Sequence, residues 1–138
     1  MSENEIRELL KNSKTIAVIG LSPVPNRPSF GVTRYMISNG YDIYGVRPAS
    51  PPEILGRPCV EKLADLKTDV DIIDVFRNSD AIPQLVTEIE AWMKSGRKVK
   101  ALWLQEGVSH PEAEKKAESL GLSVISDRCI LKDHARLM

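Results

Sequence analysis

A chain of 138 residues, 42% apolar and 28% charged, is long enough to bury one self-sufficient core. Nineteen basic against nineteen acidic side chains give zero formal net charge, which argues against nucleic acid or an anionic membrane as main partner, so any anion site must be local. Two cysteines, Cys59 and Cys129, are too few and too far apart for a disulfide framework or a C-x-x-C metal site, and no leader-like or membrane-spanning apolar run is present, so a single cytoplasmic domain over residues 1–138 is expected.

Ser2-Glu3-Asn4-Glu5 has the form of a capping box, with Ile6, Leu9 and Leu10 following at helical spacing, so a short amphipathic helix should run to Asn12-Ser13. Thr15–Ile19 is an unbroken run, β-branched at four of five positions, the pattern of a strand buried on both faces. Gly20 ends it. The loop that follows is stiffened by Pro23, Pro25 and Pro28, carries hydroxyls at Ser22 and Ser29 and a fixed charge at Arg27, and leads into a helix. A strand, a glycine loop and a helix N-terminus in that order make an anion site. The loop lacks the compact G-x-G-x-x-G of dinucleotide enzymes. The helix should turn Phe30, Tyr35 and Met36 inward and stop at Asn39-Gly40. Tyr41–Val46 reads as a second strand, followed by Arg47-Pro48 and a proline-rich connection (Pro48, Pro51, Pro52, Pro58) with a short edge segment at Gly56–Val60 and a helical turn at Leu63–Leu66.

Val70–Phe76 is the third strand. Ile82, Leu85, Val86, Ile89 and Met93 form the stripe of a helix packed on a sheet, closed by Ser95-Gly96. Val99–Leu104 is the fourth strand, ending in Gln105-Glu106-Gly107. Ser109-His110-Pro111-Glu112 reads as a second capping box, with Ser109 as cap and His110 in solvent, and its helix ends at Leu120-Gly121. Leu122–Ser126 is the fifth strand and Asp127–Leu137 a final helix. Alternating strands and helices give right-handed βαβ units, hence an α/β, doubly wound parallel sheet of five strands with helices on both faces. The expected order is 3-2-1-4-5, with a ligand crevice at the carboxyl ends of the first and fourth strands.

Arginine follows four of these five strands: Arg27, Arg47, Arg77 and Arg128. The planar guanidinium fork suits phosphate. Enzymes that use NAD place an acid after the second strand to hold the ribose 2′-hydroxyl; here Val46-Arg47-Pro48 stands instead. That arginine fits a ribose bearing its own phosphate, either NADP or coenzyme A.

The segments G-L-S-P-V-P-N-R-P-S-F-G, Y-D-I-Y-G-V-R-P, I-L-G-R-P, D-I-I-D-V-F-R, L-W-L-Q-E-G-V and D-R-C-I-L-K-D-H-A-R-L, taken together, resemble the small stand-alone CoA-binding proteins, which are similar to the N-terminal domain of the succinyl-CoA synthetase α subunit. The resemblance spans Ser13 to Leu137. It implies a Rossmann-like fold binding coenzyme A over the strand ends. Gly20, Ser22, Arg27, Pro28 and Ser29 would form the pyrophosphate loop. Val46, Arg47 and Pro48 would border the 3′-phosphate and ribose, Phe76 and Arg77 the adenine side, and Gln105, Glu106 and Gly107 the pantetheine arm. The chain departs from that pattern at Asp133, where glutamate is more frequent, leaving the role of Asp133 open.

Glu106 occupies a place where a doubly wound enzyme could keep an acid or base, and its other reading is a hydrogen-bond acceptor within the loop. Cys129 and His134 read as packing residues, although a Cys129 thiolate could form a mixed disulfide with the coenzyme A thiol. Trp92 and Trp103 read as packing surface. No Tyr-x-x-x-Lys pair and no second domain follow, which favours a module that binds coenzyme A or an acyl-CoA without chemistry of its own. A small NADP-dependent oxidoreductase is the alternative. A regulatory subunit sensing acyl-CoA for a partner protein, or a homo-oligomer, is the third arrangement the sequence allows.

Overall fold

The computed structural model describes Met1–Met138. Helix α1 (Glu3–Lys11) opens on the expected capping box: the Glu5 N–H donates to Ser2 Oγ at 3.1 Å and the Ser2 N–H to Glu5 Oε1 at 3.0 Å. Strand β1 (Thr15–Ile19), helix α2 (Pro28–Ser38) and strand β2 (Asp42–Val46) form the first crossover unit. A hairpin follows, β3 (Glu53–Ile54) antiparallel to β4 (Arg57–Val60), then a 3-10 turn at Leu63–Asp65. The second half runs β5 (Ile72–Val75), α3 (Ile82–Lys94), β6 (Ala101–Leu104), α4 (Pro111–Ser119), β7 (Ser123–Ile125) and α5 (Ile130–Leu137). No helix is long and apolar enough to cross a membrane.

The strands join one sheet in the order β3-β4-β2-β1-β5-β6-β7, parallel throughout except for β3. Successive residues of β1 serve opposite faces. Ile16 and Val18 pack with Ile6, Leu10, Met36 and Ile130 from α1, α2 and α5, while Ala17 and Ile19 pack with Leu85, Val86 and Ile89 from α3. The sheet is therefore covered on both faces, and the doubly wound α/β class expected from the sequence holds.

The strand count and order differ from expectation. The sheet has seven strands, and the order 3-2-1-4-5 is not the one found. The third expected strand, β5, lies beside β1, with Ile16 opposite Ile72 and Ile19 opposite Val75. Its expected place beside β2 is taken by β4, where Gly45 faces Cys59 and Val46 faces Val60. Gly45 makes this possible: a Cβ there would stand 2.5 Å from Cys59 Sγ and 2.9 Å from Leu21 Cδ2. The chain thus reverses its winding between β1 and β5, not between the first and fourth expected strands, and the crevice shifts with it.

The start of α4 differs too. Its cap is His110, whose Nδ1 accepts from the Ala113 N–H at 3.2 Å, while the His110 N–H donates to Glu114 Oε2 at 2.8 Å. Ser109, the expected cap, donates its N–H to Ser79 Oγ instead. An imidazole nitrogen reaches the same orphan donor that a serine would have reached.

Candidate functional site

All parallel strands end at one edge, and the segments that follow β1, β2, β4, β5 and β6 line two adjoining cavities of about 630 and 470 Å³. The larger lies between the ends of β2 and β4 and one face of α3. Val46, Arg47 and Pro48 wall it on one side, Lys62 and Lys67 on the second, and Leu85 and Trp92 on the third, with Glu61 and Glu88 at its border. Trp92 is held by its indole N–H donating to the Leu66 carbonyl at 2.9 Å. The smaller cavity sits over the β1–β5 junction and is lined by Gly20, Arg27, Pro28, Ser29, Phe76, Gln105, Glu106 and Cys129. Arg77 borders both.

Gly20 is fixed between two strands. Its N–H donates to the Val46 carbonyl at 2.7 Å, its φ is +87°, and a Cβ would stand 2.5 Å from the Phe76 carbonyl oxygen. Only glycine meets both demands. Beyond it, the buried Ser29 accepts the Ser22 N–H on Oγ at 2.9 Å, tying the proline-stiffened loop to the start of α2. That helix has proline in its first turn and no side chain capping it, so its N-terminus lies open beside Arg27.

Of the four arginines expected at the strand ends, three have no carboxylate partner. The arginines in ion pairs are Arg57, Arg97, Arg128 and Arg136, whereas Arg27, Arg47 and Arg77 pair with nothing. Arg128 is the exception to the expected rim: its Nε and a terminal nitrogen donate to both oxygens of the buried Asp133, at 2.7 and 2.8 Å. Asp133 also accepts from Arg136, which gives this residue a structural role. Burial pushes its carboxyl up, and the two guanidiniums outweigh this and hold it below the ordinary carboxylate range.

Of the residues singled out in the sequence, Gly20, Arg27, Pro28, Ser29, Val46, Arg47, Pro48, Phe76, Arg77, Gln105 and Glu106 line this pair of cavities. Ser22 and Gly107 do not. Ser22 Oγ accepts from the Val24 N–H, and the Gly107 N–H donates to Asp127 Oδ1 at 2.7 Å, so both shape the loops behind the walls. Glu106 pairs with Lys132 at 3.0 Å, rather than with backbone or arginine. His134 packs between Tyr35 and Tyr41, its Nδ1 2.9 Å from the Tyr35 hydroxyl, and burial lowers its pKa. Trp103 is buried and donates to the Arg128 carbonyl at 2.8 Å.

Sequence reasoning missed Lys62, Lys67 and the α3 wall, because they depend on β4 being a parallel strand with a carboxyl end of its own. It also missed Asp74, which is 1% exposed in the middle of β5 and accepts a hydrogen bond from Gln105 Nε2. Burial pushes the Asp74 carboxyl up to about 7, against the hydrogen bonds from Gln105 and the Val75 backbone.

A family model described as a CoA binding domain matches residues 14–135. An uncharacterised protein, YneT, of Bacillus subtilis (strain 168) is 37% identical over 134 residues, which cover 97% of this chain and 95% of that protein. A solved structure from Thermus thermophilus, called cell-free ID.343, superposes with a TM-score of 0.91 at 39% identity, with full coverage of both chains. A part of an acetyl-coenzyme A synthetase of Ca. Korarchaeum cryptofilum shares the fold, with a TM-score of 0.71 at 23% identity over 87% of this chain and 27% of that one.

Proposed function

The chain belongs to the CoA-binding domain family, and from that premise we propose that it binds coenzyme A or an acyl-CoA along the carboxyl edge of its sheet, as a module without chemistry of its own. The observation that carries this reading is the row of unpaired Arg47, Arg77 and Arg27 along two adjoining cavities. Coenzyme A is long, doubly phosphorylated in its middle and singly phosphorylated on its ribose. Arg47, with Lys62 and Lys67 on the facing wall, suits the ribose phosphate; Arg27 and the open start of α2 suit the pyrophosphate. The smaller cavity, with Gln105 and Cys129, then receives the pantetheine arm.

Arg47 suits the 2′-phosphate of NADP equally well, so ligand identity is the first thing to test. Coenzyme A should raise the melting temperature by mass action, and NAD at equal concentration should leave it unchanged. Stabilisation by NADP but not by coenzyme A would sink this reading and favour an oxidoreductase. A second measurement separates the phosphates. Arg47→Ala should weaken coenzyme A by about 1.5–3 kcal/mol, the range for a hydrogen bond to a charged group, or roughly 10- to 150-fold. Dephospho-coenzyme A should bind both proteins almost equally. Arg27→Ala should weaken both ligands together, because both carry the pyrophosphate. Equal losses for both ligands at Arg47 would mean that this side chain does not read the ribose phosphate.

A further inference from the structure

Two carboxylates are buried on the face of the sheet covered by α1, α2 and α5. Asp133 is answered by two guanidiniums, Asp74 by none. Asp74 lies between Val18 of β1 and Trp103 of β6, and its side-chain partner is the Gln105 amide. An ionised carboxylate can only accept, so it draws the Gln105 NH₂ group inward and leaves Gln105 Oε1 turned the other way. Gln105 itself lines the smaller cavity. Its Oε1 has no partner in the protein, yet it is not enclosed: the enclosed side-chain atoms without a partner are Ser13 Oγ and Thr33 Oγ1.

Resting on coenzyme A as the ligand, we infer that Asp74 is a positioning residue: it holds Gln105 with its carbonyl oxygen toward the cavity, so that the wall selects a hydrogen-bond donor, the amide N–H of the pantetheine arm, and reverses that polarity when Asp74 takes up a proton. A buried carboxylic acid must donate its proton, and Gln105 Oε1 is the acceptor within reach. The amide then turns over, and its NH₂ group meets a ligand N–H, donor against donor.

Burial, not a neighbouring charge, governs the titration of Asp74, which centres near 7. Most charged groups of the surrounding elements are engaged elsewhere. On the covering helices and in the loop before α5, Arg128 and Arg136 hold Asp133, Glu3 pairs with Arg136, Arg7 donates to Asn4 and Leu137, Glu8 accepts from Asn12, Arg34 lies over the Phe30 ring, and His134 is bound to Tyr35, while Lys11 is exposed. On the cavity wall Glu106 pairs with Lys132, leaving Arg27, Arg77 and Cys129 as the other ionisable groups there.

The test is the ratio of coenzyme A dissociation constants, Asp74→Asn over wild type, measured by calorimetry across the range from about pH 5.5 to about pH 8.5. The asparagine NH₂ group can donate to Gln105 Oε1 as the acid does, which makes the variant a mimic of protonated Asp74 at every pH, and it has no proton to exchange over this range. Titration of the ligand phosphates cancels in the ratio. The ratio should be about ten at the alkaline end, the size of one misplaced neutral hydrogen bond, and fall to about one at the acid end. A ratio that does not change with pH overturns the inference and leaves Asp74 a packing residue. Wild type alone gives a second readout: binding of dephospho-coenzyme A at neutral pH should release a fraction of a proton, seen as a dependence of the heat on buffer ionisation enthalpy. No release overturns the inference too. Failure of wild type to bind coenzyme A at any pH would overturn the proposed function and this inference with it, whereas binding with a flat ratio removes the inference alone.

Discussion

Asp74→Asn should stabilise the fold at neutral and alkaline pH by about 4 kcal/mol and leave it almost unchanged in acid. The Asp74 carboxyl is raised from 3.8 to about 7 by burial, and each tenfold change in proton affinity corresponds to about 1.4 kcal/mol. Because the folded-state value is the higher one, the stability this group contributes is fully present below pH 3.8 and is lost as the pH rises to about 7. Asparagine is close in shape and has no charge to bury. Other carboxylates complicate the absolute curve: Glu5, Asp71 and Asp133 are held below their ordinary values and lose their contribution in acid. Subtracting wild type from variant removes them. Urea midpoints of both proteins at several pH values supply the numbers, and a difference that stays constant with pH would show that Asp74 is not buried as an acid. A chain that keeps a stability-lowering aspartate buried behind a residue of its cavity wall is the pattern expected where a group serves binding more than folding.

The second large effect belongs to Gly20. Gly20→Ala should destabilise the protein by about 2–5 kcal/mol, the sum of a left-handed backbone at a residue with a side chain and a forced overlap in a packed region. The overlap is with the Phe76 backbone, 2.5 Å from the new Cβ, and no rotamer change relieves it. The strands that must part are β1 and β5, which border the smaller cavity, so coenzyme A binding should fall with stability. Gly31→Ala, eleven residues on, is the control. A Cβ there meets nothing within 4 Å, and alanine in a helix should add about 0.5–1 kcal/mol. Denaturant unfolding of the pair decides the matter; a Gly20→Ala protein with the wild-type midpoint would mean that the β1–β5 junction yields easily.

Five of the six parallel strands, β1, β2, β5, β6 and β7, were legible because each falls in a largely apolar run bounded by turn residues. Their order was not. Arg57-Pro58-Cys59-Val60 holds a proline, is only partly buried and has no apolar run, so nothing in its pattern says that it flanks β2. The misplaced order left much of the site intact, since every parallel strand ends at the same edge whichever neighbours it has. Arg27, Arg47 and Arg77 therefore follow from connectivity alone. Lys62 and Lys67 follow β4, which the sequence marks only as a short edge segment at Gly56–Val60, and they were missed because its parallel pairing with β2 leaves no mark in the pattern. Asp74 was hidden by its likeness to Asp71 three residues earlier. Asp71 lies at the strand's margin and accepts the N–H groups of Lys14 and Thr15 at 2.7 and 3.1 Å, whereas Asp74 lies in the interior. Strand patterning does not separate the two; register against β1 and β6 does.

Arg77 borders both cavities, and this makes them neighbours with one shared wall. A ligand that fills both is, in binding terms, two weak ligands joined by a tether. On the proposed placement, once the ribose-phosphate end is seated in the larger cavity, the rest of the ligand would be held near the smaller one at an effective concentration of roughly millimolar order, set by the length of the tether. Affinity for the whole then exceeds that for either half without any added contact. With the pyrophosphate at Arg27 in the smaller cavity, as proposed, an adenosine 3′-phosphate fragment and a pantetheine fragment would compete for different cavities, and release of the intact molecule could begin from either end.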